Sequence, residues 1–341
     1  MHGMFLKLAF TFWIATVYIC CSPLSWDIAE AEEILLGPAP IINQSPTLIP
    51  FLQASPDKAE IIPWGRYAMR LSIAITNTLL SENSQDYSGV IDMETFRTSL
   101  DLKVGVLSGL EIGFSMPLSY SYSGIMDEAI LDVEKSFGNP RIVREDQTPG
   151  RYEYHLEKNG KTFLGGKKTS SGLGDLVITA KGKLFDEGRL VPCVSTRFSF
   201  KIPSGNTERA LSSGKADAGL GLLLQKRINK LTAYLNGDII FPGEPFNEFN
   251  ISVHNFYIFM LGIEYSINSR LSLICQGRYT SRPFRNAALA MLDRRIHDLT
   301  LGFNYVRDSG LFIQGGGVED FRDSTEAGAD ITFFLNIGKF F

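Results

Sequence analysis

From residue 67 onward, apolar side chains fall on every second position. Tyr67, Met69, Leu71, Ile73 and Ile75 alternate with Ala68, Arg70, Ser72, Ala74 and Thr76. In the next segment Phe96, Leu100, Leu102, Val104 and Val106 oppose Thr95, Arg97, Ser99, Asp101 and Lys103. After a turn at Leu107, Ser108 and Gly109, the residues Leu110, Ile112, Phe114, Met116, Leu118, Tyr120 and Tyr122 alternate with Glu111, Gly113, Ser115, Pro117, Ser119 and Ser121. Successive side chains of a strand point to opposite faces, so a period of two predicts strands with one apolar and one polar face. These runs exceed the roughly five or six residues of an average strand. They suit the tilted crossing of a bilayer, which takes about 9–11 residues.

The alternation recurs to the C-terminus. Leu176, Ile178, Ala180 and Leu184 oppose Val177, Thr179, Lys181 and Lys183, and Val194, Phe198, Phe200 and Ile202 oppose Ser195, Arg197, Ser199 and Lys201. Further runs lie at 216–224, 231–241, 257–265, 271–279 and 297–305, with a weaker glycine-rich one at 311–318. Ile331, Phe333, Leu335, Ile337 and Phe341 close the chain. Roughly twelve strands result, an even number as in single-chain bacterial barrels. Short connections at 107–109, 185–190, 227–230, 267–270 and 306–309 alternate with long ones at 80–92, 123–173, 203–213, 242–252, 281–294 and 321–328. The expected fold is all-β, a transmembrane up-and-down antiparallel barrel over 65–341 with short periplasmic turns and long extracellular loops. Tyr120, Tyr122, Tyr265, Tyr279 and Tyr305 near strand ends fit an interfacial girdle. Phe341 resembles the terminal aromatic by which outer-membrane barrels are recognised for assembly, although Lys339 departs from that signal. Expected partners are therefore outer-membrane lipid and lipopolysaccharide, periplasmic chaperones and the barrel assembly machinery.

The first 31 residues read as an address. A short, weakly basic start precedes an apolar run at 8–19, too short for a comfortable transmembrane helix, and Ala29-Glu30-Ala31 has the small-x-small form of a cleavage site. Cleaved export to the Gram-negative outer membrane is expected, with a mature start near Glu32. Cys20-Cys21 invites a lipoprotein reading, against which Ile19 stands as a poor preceding residue. Residues 32–64 are proline-rich and read either as a periplasmic tether or as a plug within the barrel.

Composition narrows the function. At 44% apolar and 21% charged residues the chain is not disordered in type, and a net charge of −4 without basic clusters excludes a nucleic-acid surface. Cys193 and Cys275 remain for the mature chain and read as small apolar fillers. The polar faces carry Arg70, Arg97, Lys103, Lys181, Arg197, Lys201 and Arg278 with Asp101, Glu111, Asp217, Asp238 and Glu264, all candidates for the lumen lining. Such charges either line water or pair across the bore and close it. Met126, Ile130, Val133 and Phe137 share one face of a short helix in the longest loop, a candidate lid. A hairpin follows at 152–163, turning at Asn159-Gly160. His254, His297 and Ser281 read as polar rim residues; no G-x-S-x-G or H-E-x-x-H motif appears, and neither a catalytic nor a cofactor or metal site is expected.

Several segments are similar to those of the family called domain of unknown function 3187. They are Gly37-Pro38-Ala39-Pro40-Ile41-Ile42-Asn43-Gln44-Ser45-Pro46, Ser171-Gly172-Leu173-Gly174-Asp175-Leu176, Lys201-Ile202-Pro203-Ser204-Gly205 and Gly317-Val318-Glu319-Asp320-Phe321. The resemblance implies a Gram-negative outer-membrane barrel and carries no established activity. Two function classes follow: a channel or transporter for small solutes, or a closed barrel acting as a structural or surface-binding protein. The oligomeric state and the solute are not readable.

Overall fold

The computed structural model describes residues 35–127, 150–166, 170–284, 287, 289–320 and 329–341. Its strands are β1 (Tyr67–Asn83), β2 (Tyr87–Leu107), β3 (Leu110–Tyr122), β4 (Glu153–Lys158), β5 (Lys161–Gly165), β6 (Ser170–Leu173), β7 (Leu176–Phe185), β8 (Cys193–Ile202), β9 (Asp217–Ile228), β10 (Leu231–Phe241), β11 (Phe256–Ser266), β12 (Leu271–Thr280), β13 (Ile296–Val306), β14 (Leu311–Asp320) and β15 (Ile331–Phe340). Twelve of them, β1–β3 and β7–β15, close into one antiparallel barrel. The seam joins β15 back to β1 from Ala68↔Phe340 to Asn77↔Ile331. No helix among the described residues is long and apolar enough to cross a membrane.

The two-residue period is realised literally. In β11, Phe256, Ile258, Met260, Gly262, Glu264 and Ser266 are buried, while Tyr257, Phe259, Leu261, Ile263 and Tyr265 are exposed. Leu100, Leu222, Leu261, Leu273, Leu301 and Phe333 continue an outward apolar belt around the wall. A belt of this extent is unfavourable against water and suits hydrocarbon. At the seam, the Tyr67 and Phe341 rings stack at 4.7 Å and their backbones exchange hydrogen bonds of 3.2 and 2.8 Å.

The connection at 80–92 is not a loop. β1 and β2 stay paired through Leu79↔Asp92, Leu80↔Ile91 and Asn83↔Ser88, leaving only 84–86 as a turn. Leu79 and Leu80, neighbours in sequence, are both buried, as are Tyr87, Ile91 and Met93. Above the barrel rim both faces of this hairpin are covered by protein, so the alternation that marks a half-wet strand disappears. β4 extends the sheet beside β2, and β5 pairs with β4. Their turn places Asn159 and Gly160 at φ 51° and 71°, the two positive values a tight hairpin needs.

The long-loop end of the barrel holds the main apolar core. Phe51, Leu52 and Ala54 meet Leu80, Tyr87 and Ile91 of the β1–β2 hairpin, Leu156 and Phe163 of β4–β5, and Phe246, Val253 and Phe284 from the loops. Phe51 sits edge-on to Phe284 and Phe246, with centroids 5.8 and 6.4 Å away. Helix α1 (Ala290–Asp293) adds Met291 and Leu292.

Candidate functional site in the barrel lumen

Residues 35–63 run inside the barrel as a hairpin. The ascending arm follows the β12–β13 wall: Asn304 donates to the Gly37 carbonyl (3.1 Å), Arg278 to that of Ile41 (3.2 Å), and Asn43 to Asp298 (2.8 Å). The bend lies at the long-loop end, where Tyr154 donates to the Pro46 carbonyl (3.0 Å) and Lys201 to that of Pro50 (2.6 Å). Burial pushes the Tyr154 phenol above its ordinary pKa, so it stays a donor. The descending arm follows β8–β10 and ends against β3. Leu52 donates to Asp217 (2.7 Å), Arg197 to the Ser55 carbonyl (2.6 Å), Ser195 to that of Ala59 (2.5 Å) and Ile62 to Glu111 (2.8 Å).

This segment forms no ladder with the wall, so side chains must satisfy its backbone. Gln276 both accepts from the Ala39 N–H (2.9 Å) and donates to its carbonyl (3.0 Å). Asn236 does the same for Asp57, at 2.9 Å each way. Pro38, Pro40, Pro46, Pro50, Pro56 and Pro63 carry no N–H, which reduces the donors needing a partner in the closed interior. The chain leaves the lumen past Gly105, where a Cβ would stand 2.1 Å from the Pro63 carbonyl oxygen, so only glycine permits the crossing. Trp64 then bridges to Gly105 before β1 begins.

The twelve charged lining candidates all reach this interior. Asp57 of the inner segment binds Lys103 (2.6 Å) and Lys181 (2.9 Å); Lys181 also meets Glu111 at 3.3 Å. Arg197 makes a two-pronged pair with Asp238 at 2.7 and 3.2 Å. Lys201 lies between Asp175 (2.8 Å) and Asp217 (3.1 Å), and Arg70 binds Asp101 at 3.1 Å. Arg278 holds Gln53 at 2.6 Å. Glu264 accepts from Tyr234 (2.6 Å), Ser272 (2.5 Å) and Asn304 (2.7 Å). Arg97 alone among the twelve has no hydrogen-bond or ion-pair partner among the described residues, and its Nε is fully enclosed.

The inner segment does not fill the bore evenly. A cavity of about 140 Å³ lies between it and the wall of β1, β2, β3, β7 and β8, lined by Arg70, Ser72, Arg97, Ser99, Asp101, Ser119, Thr179 and Lys201 among others. A second, of about 60 Å³, continues toward the short-turn end past Leu36, Ile62, Ala68 and Phe340. Asp57, Lys103, Glu111 and Lys181 border both. β9–β13 contribute nothing to either lining.

Sequence reasoning missed the fasteners: Asp57, Asn236, Gln276, Asn304 and Gln225, which donates to Glu60 (2.8 Å). The four amides share one sequence signal, a neutral amide on the polar face of a membrane strand; Asp57, in the inner segment, has none. Of the lid residues, Ile130, Val133 and Phe137 lie outside the described residues. The Met126 and Ile125 N–H groups donate to Glu94. At the rim, the His297 ring packs 5.2 Å from that of Tyr279, and Ser281 accepts the Tyr257 N–H at 2.8 Å. Among the described residues no group of three or more His, Cys, Asp or Glu is placed to hold a metal ion.

The family described as "Protein of unknown function (DUF3187)" matches residues 14–341. No curated protein matches the chain significantly. Among solved structures, the COG4313 outer membrane channel from Pseudomonas putida F1 is 15% identical, with 85% of this chain and 100% of that one covered at a TM-score of 0.57. The NanC porin is 8% identical over 80% of this chain and 98% of its own, at 0.44. The P. putida toluene transporter TodX is 12% identical over 81% and 90%, at 0.40. The first shares the barrel fold; the other two scores are too low to carry an argument.

Proposed function

This chain belongs to the DUF3187 family, and from its lumen we propose an outer-membrane channel for small solutes, held occluded by its own residues 35–63. The carrying observation is the way the bore is filled. A barrel closed for purely structural ends would pack its interior to uniform density. Here most hydrogen bonds of the inner segment go to β8–β13, while two cavities in series remain along β1–β3, β7 and the edge of β8. Both are bordered by Pro40, Pro56, the Arg70–Asp101 pair and the contact of Asp57 with Lys103 and Lys181, and of these Asp57 is the one ionic tie that the inner segment itself makes. Displacing the stretch around Pro56 and Asp57 widens the passage between the cavities, and the segment then acts as a plug that yields on one side. The short turns face the periplasm in this reading, and the β4–β5 hairpin faces outside.

The second reading, a closed barrel that binds at the cell surface, draws on the apolar core capping the long-loop end. Planar-bilayer recording separates the two. Full-length protein should conduct weakly or in brief openings. A variant lacking residues 35–63, shown to be folded by heat-modifiable gel mobility, should conduct several-fold more. A folded deletion variant that conducts no better than its parent sinks the plug reading. Silence from both makes the surface-binding reading the better one.

A further inference from the structure

The solute class is written in the lining of the larger cavity. Every other cation bordering it has a carboxylate oxygen within 3.1 Å. Arg97 has none. The acid beside it in β2, Asp101, is already engaged by Arg70 (3.1 Å), Ser72 (3.1 Å) and Ser99 (3.3 Å). Arg97 stands opposite Ser119 of β3 and Ala74 of β1 in the strand register, so no wall neighbour at its own level carries a charge. A guanidinium withdrawn from bulk water without a carboxylate in contact is expensive to keep. The fold gives each other cation of this cavity a carboxylate in contact and leaves Arg97, which lines the open volume, only the more distant charge of Asp101.

We propose that Arg97 is the recognition point for a small oxyanion, a carboxylate or phosphate group on the permeating solute. This rests on the channel reading and adds the charge class to it. The planar fork of a guanidinium matches the two oxygens of such a group, and the hydroxyl of Ser119, opposite Arg97 on the same wall, supplies a further donor. The size is bounded too. A cavity of about 140 Å³ is close to the roughly 150 Å³ known to admit benzene, so a three-carbon acid fits and a hexose acid needs the plug to move.

The test uses the purified full chain in detergent, titrated by calorimetry with sodium lactate, with sodium phosphate in a parallel arm and with glycerol as the neutral match for lactate. Saturable heat from lactate or phosphate and none from glycerol is expected, and the arm that responds names the group. R97Q should weaken that binding at least tenfold, and R97K, which keeps the charge but not the fork, should fall between. R97Q removes a charge that has no carboxylate in contact among the described residues and breaks no hydrogen bond there, and R97K gives a second variant in any case. No heat from either anion, or equal affinity in R97Q and parent, overturns the proposal. Anion binding by a protein that never conducts would defeat the channel reading and keep this one. Conduction without anion binding would do the reverse.

Discussion

The two sides of the lumen solve different problems. Along β8–β13 the wall meets the inner segment with groups shaped to its backbone, as Gln276 does at Ala39 and Asn236 at Asp57. Along β1–β3 the wall meets open volume, and its hydrogen bonds and ion pairs with the segment shrink to Lys103 and Glu111 near the short-turn end, beside apolar packing at Ala74 and in the core of the long-loop end. Neutral amides suit the first task, because they satisfy a buried donor and acceptor together without adding charge. Charges suit the second, because they hold a polar surface that a solute can displace. A segment fastened on one side only has a direction in which it can yield.

The most damaging way to break this arrangement is to block the segment's exit. Gly105→Val places a side chain where the Ile62 and Pro63 carbonyl oxygens lie, at 2.4 and 2.1 Å from the added Cβ, and backbone cannot step aside cheaply. The inner segment should be expelled at its lower end. Protease should then cut within 35–63, which is protected in the parent, and conductance should approach that of the deletion variant. Full protection in a folded Gly105→Val protein would mean that the segment does not leave past this strand.

The barrel itself was legible because a membrane enforces a strict contrast: one face must be apolar, and the period of two survives in β3 and β11 without exception at the outward positions and in β8 with Thr196 as its one break. The rule lapses where that contrast lapses. At Leu79–Leu80 and Ile91–Met93 protein covers both faces, and the sequence reads as loop although the strands continue. The inner segment has no period at all, because its partners are side chains spaced by wall geometry and not by its own repeat. Arg97 and Asp57 illustrate the limit for the site. Alternation places Arg97 on the inner face but does not tell it from Arg197, whose partner Asp238 comes from a strand far away in sequence. Asp57, in a segment without period, carries no mark at all.

A smaller effect is expected from the ion-pair contact between the two cavities. Asp57→Asn keeps the shape but leaves Lys103 and Lys181 sharing Glu111, at 3.6 and 3.3 Å. Breaking a buried pair typically costs about 3–5 kcal/mol, and the remaining acid should hold the loss near the lower figure. The barrel should still assemble, and single-channel records should show more frequent openings with the open-state conductance unchanged. A closed state as long-lived as that of the parent would move the constriction elsewhere. An unstable barrel would make the contact a structural tie and not a gate.

The finest test compares one fastener with one residue of the open side. Gln276→Ala removes the two hydrogen bonds to Ala39, both buried, and leaves a donor and an acceptor unmet. That costs about 1–3 kcal/mol for each group left unsatisfied. The cost falls on the ascending arm alone, so amide hydrogen exchange at Ala39 and Ile41 should quicken at least tenfold while the barrel strands keep their protection. Thr179→Ala, on the cavity wall, touches no fastener and should leave exchange along 35–63 within about 0.5 kcal/mol of the parent. Because the segment is continuous through its bend at 46–50, some loosening of the descending arm should follow Gln276→Ala, weaker than at Ala39 and weakest at Ala59, which Ser195 still holds. If the two variants loosen the segment equally, the fastened and open sides are not energetically distinct, and the direction of yielding inferred from them is lost.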